Sequence, residues 1–186
     1  MERRRHVQGA DGPRHDGATG HQNAFAAWAP AIADVLRETD ALLVASGVDC
    51  LRHLPEDVQT SVIQVEWTWD LGDVARLQNQ FDVMLAPCAD TDFYRHKSDL
   101  RVLEGWAGGA VPVAGSVTYG DTVVHGENGY VADGAEDVYD ALMALVGDKY
   151  LRRRLAKSGK DYVLRGRTIQ KMAPRWRAAL TNWENA

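Results

Sequence analysis

Short apolar runs alternate along this chain with longer stretches of helical periodicity. Ala41–Ala45 (ALLVA), Ser61–Val65 (SVIQV), Val83–Ala86 (VMLA), Val111–Ala114 (VPVA) and Tyr130–Ala132 (YVA) are each followed by polar, glycine or proline positions. Apolar runs of this length, bounded by turn residues, predict buried strands. Between them the spacing changes to that of helices. Asn23 is placed to cap a helix over Ala24–Glu38, with Phe25, Trp28, Ile32, Val35 and Leu36 on one stripe. Further helices are predicted over Leu71–Asn79, Leu100–Trp106, Glu136–Val146, Lys149–Leu164 and Thr168–Trp183, with a single helical turn over Asp121–His125. Strands alternating with helices imply a mostly parallel sheet covered on both faces, joined by right-handed crossovers. The expected fold class is therefore α/β: a three-layer, doubly wound sheet with a helical C-terminus.

Residues 1–22 are rich in Gly, Arg and His and hold almost no apolar side chains, so they read as a disordered tail. Residues 23–186 read as one domain, without internal repeat or linker. A net charge of −5 argues against general nucleic-acid affinity. The two cysteines, Cys50 and Cys88, have no zinc-site spacing and suit reduced, buried thiols of a cytoplasmic protein. The basic N-terminus is not followed by an apolar stretch, so it does not read as a secretory signal.

Candidate chemistry concentrates between Phe81 and Gly129. There a strand ends at Pro87, a polar loop carries Lys97-Ser98-Asp99, a helix carries Glu104, and a second strand empties into Gly115-Ser116. Both loops lie at carboxyl ends of parallel strands, where open α/β sheets bind ligands. Ser98 is the expected N-cap, and the amide-rich helix start beside Lys97 suits a phosphate. Glu104 lies about one and a half turns further on, and a carboxylate accepts two hydroxyl hydrogen bonds, as a sugar diol requires. A solvated cap and a surface acid are the ordinary readings of the same residues, and local physics leaves both open.

The stretch from Lys97 to Glu104 (KSDLRVLE), then Ala107–Ala114 (AGGAVPVA) and Asp121–Gly129 (DTVVHGENG), resembles the donor-binding half of family 4 glycosyltransferases of the GT-B fold. The likeness extends over roughly residues 23–183. It implies a nucleotide-diphosphate-sugar donor, a retaining transfer and a Rossmann-like domain. Glu104, in the Leu103-Glu104 pair, matches the second acid of the family's Glu-seven-residues-Glu motif, which holds the ribose hydroxyls. The first acid falls at His96. Arg95–Arg101 fits a subgroup form, Arg-x-Lys-Ser-Asp-Leu-Lys, better. The resemblance thus makes Lys97, Ser98 and Asp99 candidates for the diphosphate, and Ser116, Thr118 and Tyr119 candidates for donor contacts in the next loop. It implies no cofactor and no metal, since this fold neutralises the leaving diphosphate with basic side chains and a helix terminus. No residue of this chain is assigned a catalytic role.

Full GT-B enzymes have two similar domains. The acceptor-binding domain, the first donor-domain strand and the basic residues after it have no counterpart in the pattern read here. The chain is accordingly expected to be a partial donor domain, completed by an acceptor-binding domain or partner chain. A non-catalytic interaction module or relic, with an unfilled sheet position as a sticky edge and homo-oligomer formation, is the alternative. A receiver-type domain is disfavoured, because clustered acids are missing at the first strand end. His125 reads as a turn residue, Cys88 as a buried thiol and Gly108-Gly109 as a helix end. Trp67 and Trp69 read as packing or interface residues, with contact to a nucleotide base as the functional alternative. Arg152–Arg154 reads as a solvated face, with membrane-surface contact the minor reading.

Overall fold

The computed structural model describes residues 6–10 and 17–183, with side chains over 22–181. The strands are β1 (His6–Ala10), β2 (Leu42–Ser46), β3 (Val62–Val65), β4 (Val83–Ala86), β5 (Val111–Ala114) and β6 (Tyr130–Val131). They form one sheet in the order β3-β2-β1-β4-β5-β6, and every pairing is parallel. The helices are α1 (Gly17–Glu38), α2 (Leu71–Gln78), α3 (Asp92–Arg95), α4 (Leu100–Gly108), α5 (Ser116–Tyr119), α6 (Ala135–Gly147), α7 (Lys149–Gly166) and α8 (Ile169–Trp183). Two 3-10 turns, Leu51–His53 and Glu56–Ser61, lie between β2 and β3.

Alternation along the strands divides the core. Leu43, Ala45, Val83, Leu85, Val111 and Val113 pack with Phe25, Trp28 and Ile32 of α1 and with Val138, Leu142 and Leu145 of α6. Their neighbours Val44, Met84, Ala86 and Ala114 pack on the opposite face with Val102 and Trp106 of α4. Period-two alternation in buried parallel strands makes both faces apolar, and that requires helices on both sides. The three layers follow from this pattern.

The first 22 residues correct the sequence reading. His6–Ala10 is not part of a disordered tail; it is the central strand, paired with β2 over His6↔Leu42 to Ala10↔Ser46 and with β4 at Val7↔Val83 and Gln8↔Met84. The helix assigned to Ala24 begins at Gly17. Residues 1–5 and 11–16 lie outside the described residues. A strand flanked on both sides normally reads as an apolar run. HVQGA does not, and its place is given by backbone pairing on both edges instead. With β1 in place, the unfilled sheet position that motivated an interaction module is gone.

A second correction concerns the loop after β5. The helical turn lies at Ser116–Tyr119, not at Asp121–His125; His125 instead bridges Gly129. The Asn128 side chain causes this. Its Oδ1 accepts the Val124 N–H at 2.8 Å and its Nδ2 donates to the Thr122 carbonyl at 3.3 Å, so that segment closes as a side-chain-braced turn.

Candidate functional site

Strand order reverses between β1 and β4. From β1 the chain winds outward through β2 and β3, and from β4 outward through β5 and β6. In open α/β sheets a ligand crevice forms beyond the carboxyl ends of the strands at such a reversal. Cys88 follows β4 there and Gly115 follows β5. A Cβ on Gly115 would fall 2.3 Å from the Cys88 Sγ, so the two strand ends are in contact. Lys97 and Tyr119 complete this cluster. The Lys97 Nζ stands 5.1 Å from the Phe93 ring centre and 5.5 Å from that of Tyr94, and burial pushes its ammonium down from the ordinary lysine value. Burial raises the Tyr119 hydroxyl, partly offset by the positive charge of Arg101.

A cavity of about 240 Å³ opens beside this cluster, between the β3–α2 loop, α2 and α4. Trp67, Trp69, Gln78, Arg101 and Glu104 line it, with Ser46 at the end of β2. The loop carrying the tryptophans is held at the start of α2. Asp70 caps that helix, its carboxylate accepting the Asp73 N–H at 2.9 Å, and the Thr68 hydroxyl oxygen accepts the Asp70 N–H at 3.1 Å. Trp67 and Trp69 meet edge to face, centres 5.7 Å apart, and Trp69 is 77% exposed. Such a pair offers an aromatic face at the cavity mouth. Inside, the Gln78 Nε2 donates to the Glu104 Oε2 at 3.3 Å. This fixes one carboxylate oxygen and leaves the other lone pairs for a hydroxyl-bearing ligand. Burial lowers the Arg101 guanidinium from its ordinary value, against the charges of Tyr119 and Glu104. Arg101 is thus the cation lying between the cavity and the strand-end cluster.

The family profile described as "Glycosyl transferases group 1" matches residues 14–148. The chain belongs to that family. Among solved structures, this group 1 domain is similar to the C-terminal domain of a glycosyl transferase group 1 family protein (LpcC) from Francisella tularensis. The identity is 20%, the TM-score is 0.66, and the likeness covers 86% of this chain and 84% of that one. It is similar to sucrose-phosphate synthase from Thermosynechococcus elongatus at 15% identity and a TM-score of 0.74, covering 98% of this chain and 46% of that one. It is also similar to Anabaena HepE, solved in complex with UDP and glucose, at 12% identity and a TM-score of 0.69, covering 96% and 48%. These likenesses show the fold; the group 1 chain spans less than half the length of the last two. No curated protein matches it.

The group 1 structure brings together only some of the residues singled out from the sequence. Glu104 lines the cavity, whereas Lys97 does not; Lys97 packs over aromatic rings at the end of β4. Ser98 is not the cap of α4. Asp99 occupies the N-cap position, without a side-chain bond to the helix amides, and its carboxylate is engaged elsewhere. Leu103 packs into the core cluster under α4. The Ser116 N–H donates to the Asp133 carboxylate at 2.8 Å, the Thr118 hydroxyl donates to the Tyr94 carbonyl at 2.8 Å, and Tyr119 is buried. Ser116, Thr118 and Tyr119 therefore brace α3, α5 and the β6–α6 loop. Arg101 and Gln78 escaped the sequence reading. Arg101 lies three residues before Glu104, on the same helix side, and that spacing is a readable signal. Gln78 carries none, because its neighbour is 26 positions away.

Among the described residues, no helix is long and apolar enough to cross a membrane. No group of three or more His, Cys, Asp or Glu is placed to hold a metal ion among them.

Proposed function

We propose that this group 1 domain binds a nucleoside-diphosphate sugar, as the donor half of a retaining glycosyltransferase. The acceptor side comes from a second domain or a partner chain. The observation that carries the reading is that Glu104 and the Trp67–Trp69 pair line one cavity beside the strand-order reversal. The base lies against the exposed Trp69 face, where stacking is tolerant of base identity. The ribose hydroxyls bond to Glu104, whose carboxylate Gln78 orients. The diphosphate runs from the cavity toward the ends of β4 and β5. Arg101 supplies the first positive charge along that path, and Lys97 with the amides near Ser98 supplies charge and donors at its far end. HepE, in complex with UDP and glucose, has this fold and supports the choice of ligand class.

In this reading the domain's chemical contribution is electrostatic. Donors and cations fixed before the ligand arrives stabilise the negative charge that grows on the leaving diphosphate, with no reorganisation during reaction. Transfer also requires an acceptor held in line, a contribution that depends on proximity. The test is calorimetric titration with UDP, GDP and ADP, with tryptophan fluorescence followed in parallel. Saturable binding of at least one, with quenching that Trp69→Ala removes, is expected. The absence of binding by all three would overturn the reading.

A further inference from the structure

Helix α4 carries both cavity-facing charges, Arg101 and Glu104, so their aim depends on how the helix is rotated. The side bearing Val102, Gly105 and Trp106 is packed. Gly105 lies against Met84 of β4, where a Cβ would fall 2.6 Å from the methionine methyl. Val102 and Trp106 are fully buried, and Trp106 stacks edge to face on Tyr162 of α7 at 5.5 Å. At the start of the helix one ion pair closes the arrangement. Arg167, the residue that ends α7, donates through Nη1 and Nη2 to the two carboxylate oxygens of Asp99, each at 2.7 Å. The Thr122 hydroxyl donates to the Asp99 Oδ2 at 2.8 Å, and the Tyr162 hydroxyl accepts from Arg167 Nη1 at 3.2 Å. Asp99, Val102 and Trp106 share one helix side, away from Arg101 and Glu104, by their three- and four-residue spacing.

We infer that the Asp99–Arg167 fork is a positioning device for donor recognition: it fixes the rotation of α4 and thereby aims the Glu104 carboxylate at the ribose. This rests on the proposed function, and it assigns roles to two residues that do not line the cavity. The geometry makes the coupling steep. A rotation of about 10° moves a carboxylate roughly 6 Å from the helix axis by about 1 Å, and site geometry tolerates only about 0.5 Å. A planar guanidinium with two parallel bonds resists such rotation, whereas a lysine ammonium in the same place supplies charge without the fork.

The test compares UDP with 2′-deoxyuridine diphosphate on the whole chain, by calorimetry. Three proteins are used: the unaltered one, Arg167→Lys and Arg167→Gln, each checked for folding by circular dichroism and thermal melting. The unaltered protein is expected to prefer UDP by about tenfold or more, a ratio that one charged hydrogen bond accounts for. Arg167→Lys, which keeps the charge and the fold, is expected to reduce that ratio at least threefold, with Arg167→Gln reducing it further. A pair with only a structural role would shift the melting temperature and leave the ratio intact; an intact ratio in Arg167→Lys overturns this inference alone. An unaltered protein that binds UDP without ribose preference overturns it as well and leaves nucleotide binding standing. Failure of the unaltered protein to bind any nucleoside diphosphate overturns the proposed function together with it.

Discussion

Trp106 of α4 packs directly on the backbone of Gly159 of α7: a Cβ at residue 159 would fall 2.0 Å from the indole Cδ1. The indole Nε1 donates at 2.8 Å to the Asn128 carbonyl in the turn before β6. One aromatic side chain thus joins two helices and a turn, and a glycine is the only residue that admits it. Gly159→Ala is therefore expected to destabilise the domain by about 1–3 kcal/mol, as overpacking does. For a chain of this size that lowers the melting temperature by roughly 2–4 °C per kcal/mol. A melting curve checks it, and an unchanged Tm would show that α7 can retreat at no cost.

The two cavity charges should separate by ligand part. Glu104→Gln keeps the shape of the side chain and removes the charge. It is expected to weaken UDP binding by about tenfold to a hundredfold, since a hydrogen bond to a charged group contributes about 1.5–3 kcal/mol. Binding of 2′,3′-dideoxyuridine diphosphate should change little. Arg101→Gln should instead weaken UDP strongly and uridine weakly. Calorimetry on the three ligands distinguishes the roles, and equal losses on all of them would refute the division.

Acid stability should report the Asp99–Arg167 pair. Burial alone would raise the Asp99 carboxyl, but the Arg167 fork and the Thr122 hydroxyl outweigh it and hold the group below the ordinary carboxylate range. A carboxyl depressed in the folded state adds stability above its unfolded value, near about 3.9, and that stability is lost as pH falls through the lower folded value. The difference in urea midpoint between the unaltered protein and Arg167→Gln is expected to be full at pH 7 and to shrink below about pH 4. A difference independent of pH would contradict this.

The two thiols should differ in reactivity. Cys50 is fully buried beside the β2 end, and desolvation pushes its thiol up to about 11. Cys88 is only half-buried. At pH 8, iodoacetamide is expected to label Cys88 in the folded protein and Cys50 only after unfolding, as peptide mass analysis will record. Because the folded value of Cys50 is raised, its contribution to stability is present below the unfolded value, about 8.5, and is lost as pH rises toward 11. Alkaline unfolding between these limits should therefore be less steep in Cys50→Ala.

Much of the fold was legible because burial on both sheet faces leaves apolar runs. Val83–Ala86 and Val111–Ala114 are strands with the bounds read from the sequence. Gly109 ends α4 in the left-handed conformation, φ 91°, as a glycine after a helix is expected to do. The short helices α3 and α5 were not legible. Four residues give no periodicity, and both are held by contacts from outside themselves, such as Thr118 to the Tyr94 carbonyl.

The sequence by itself determined the layered α/β architecture, the βαβ unit around α4 and the placing of Glu104 on a helix beside a strand end. Those follow from hydrophobic period and local backbone preference, which act over a few residues. Only the tertiary structure decided that HVQGA is the central strand, that Asp99 turns from its own helix to Arg167, and that Arg101 shares the cavity with Glu104 while Lys97 does not. The reason is physical: ladder pairing joins Val7 to Val83, ion-pair geometry joins Asp99 to Arg167, 68 positions on, and nothing in the neighbourhood of either residue records its partner.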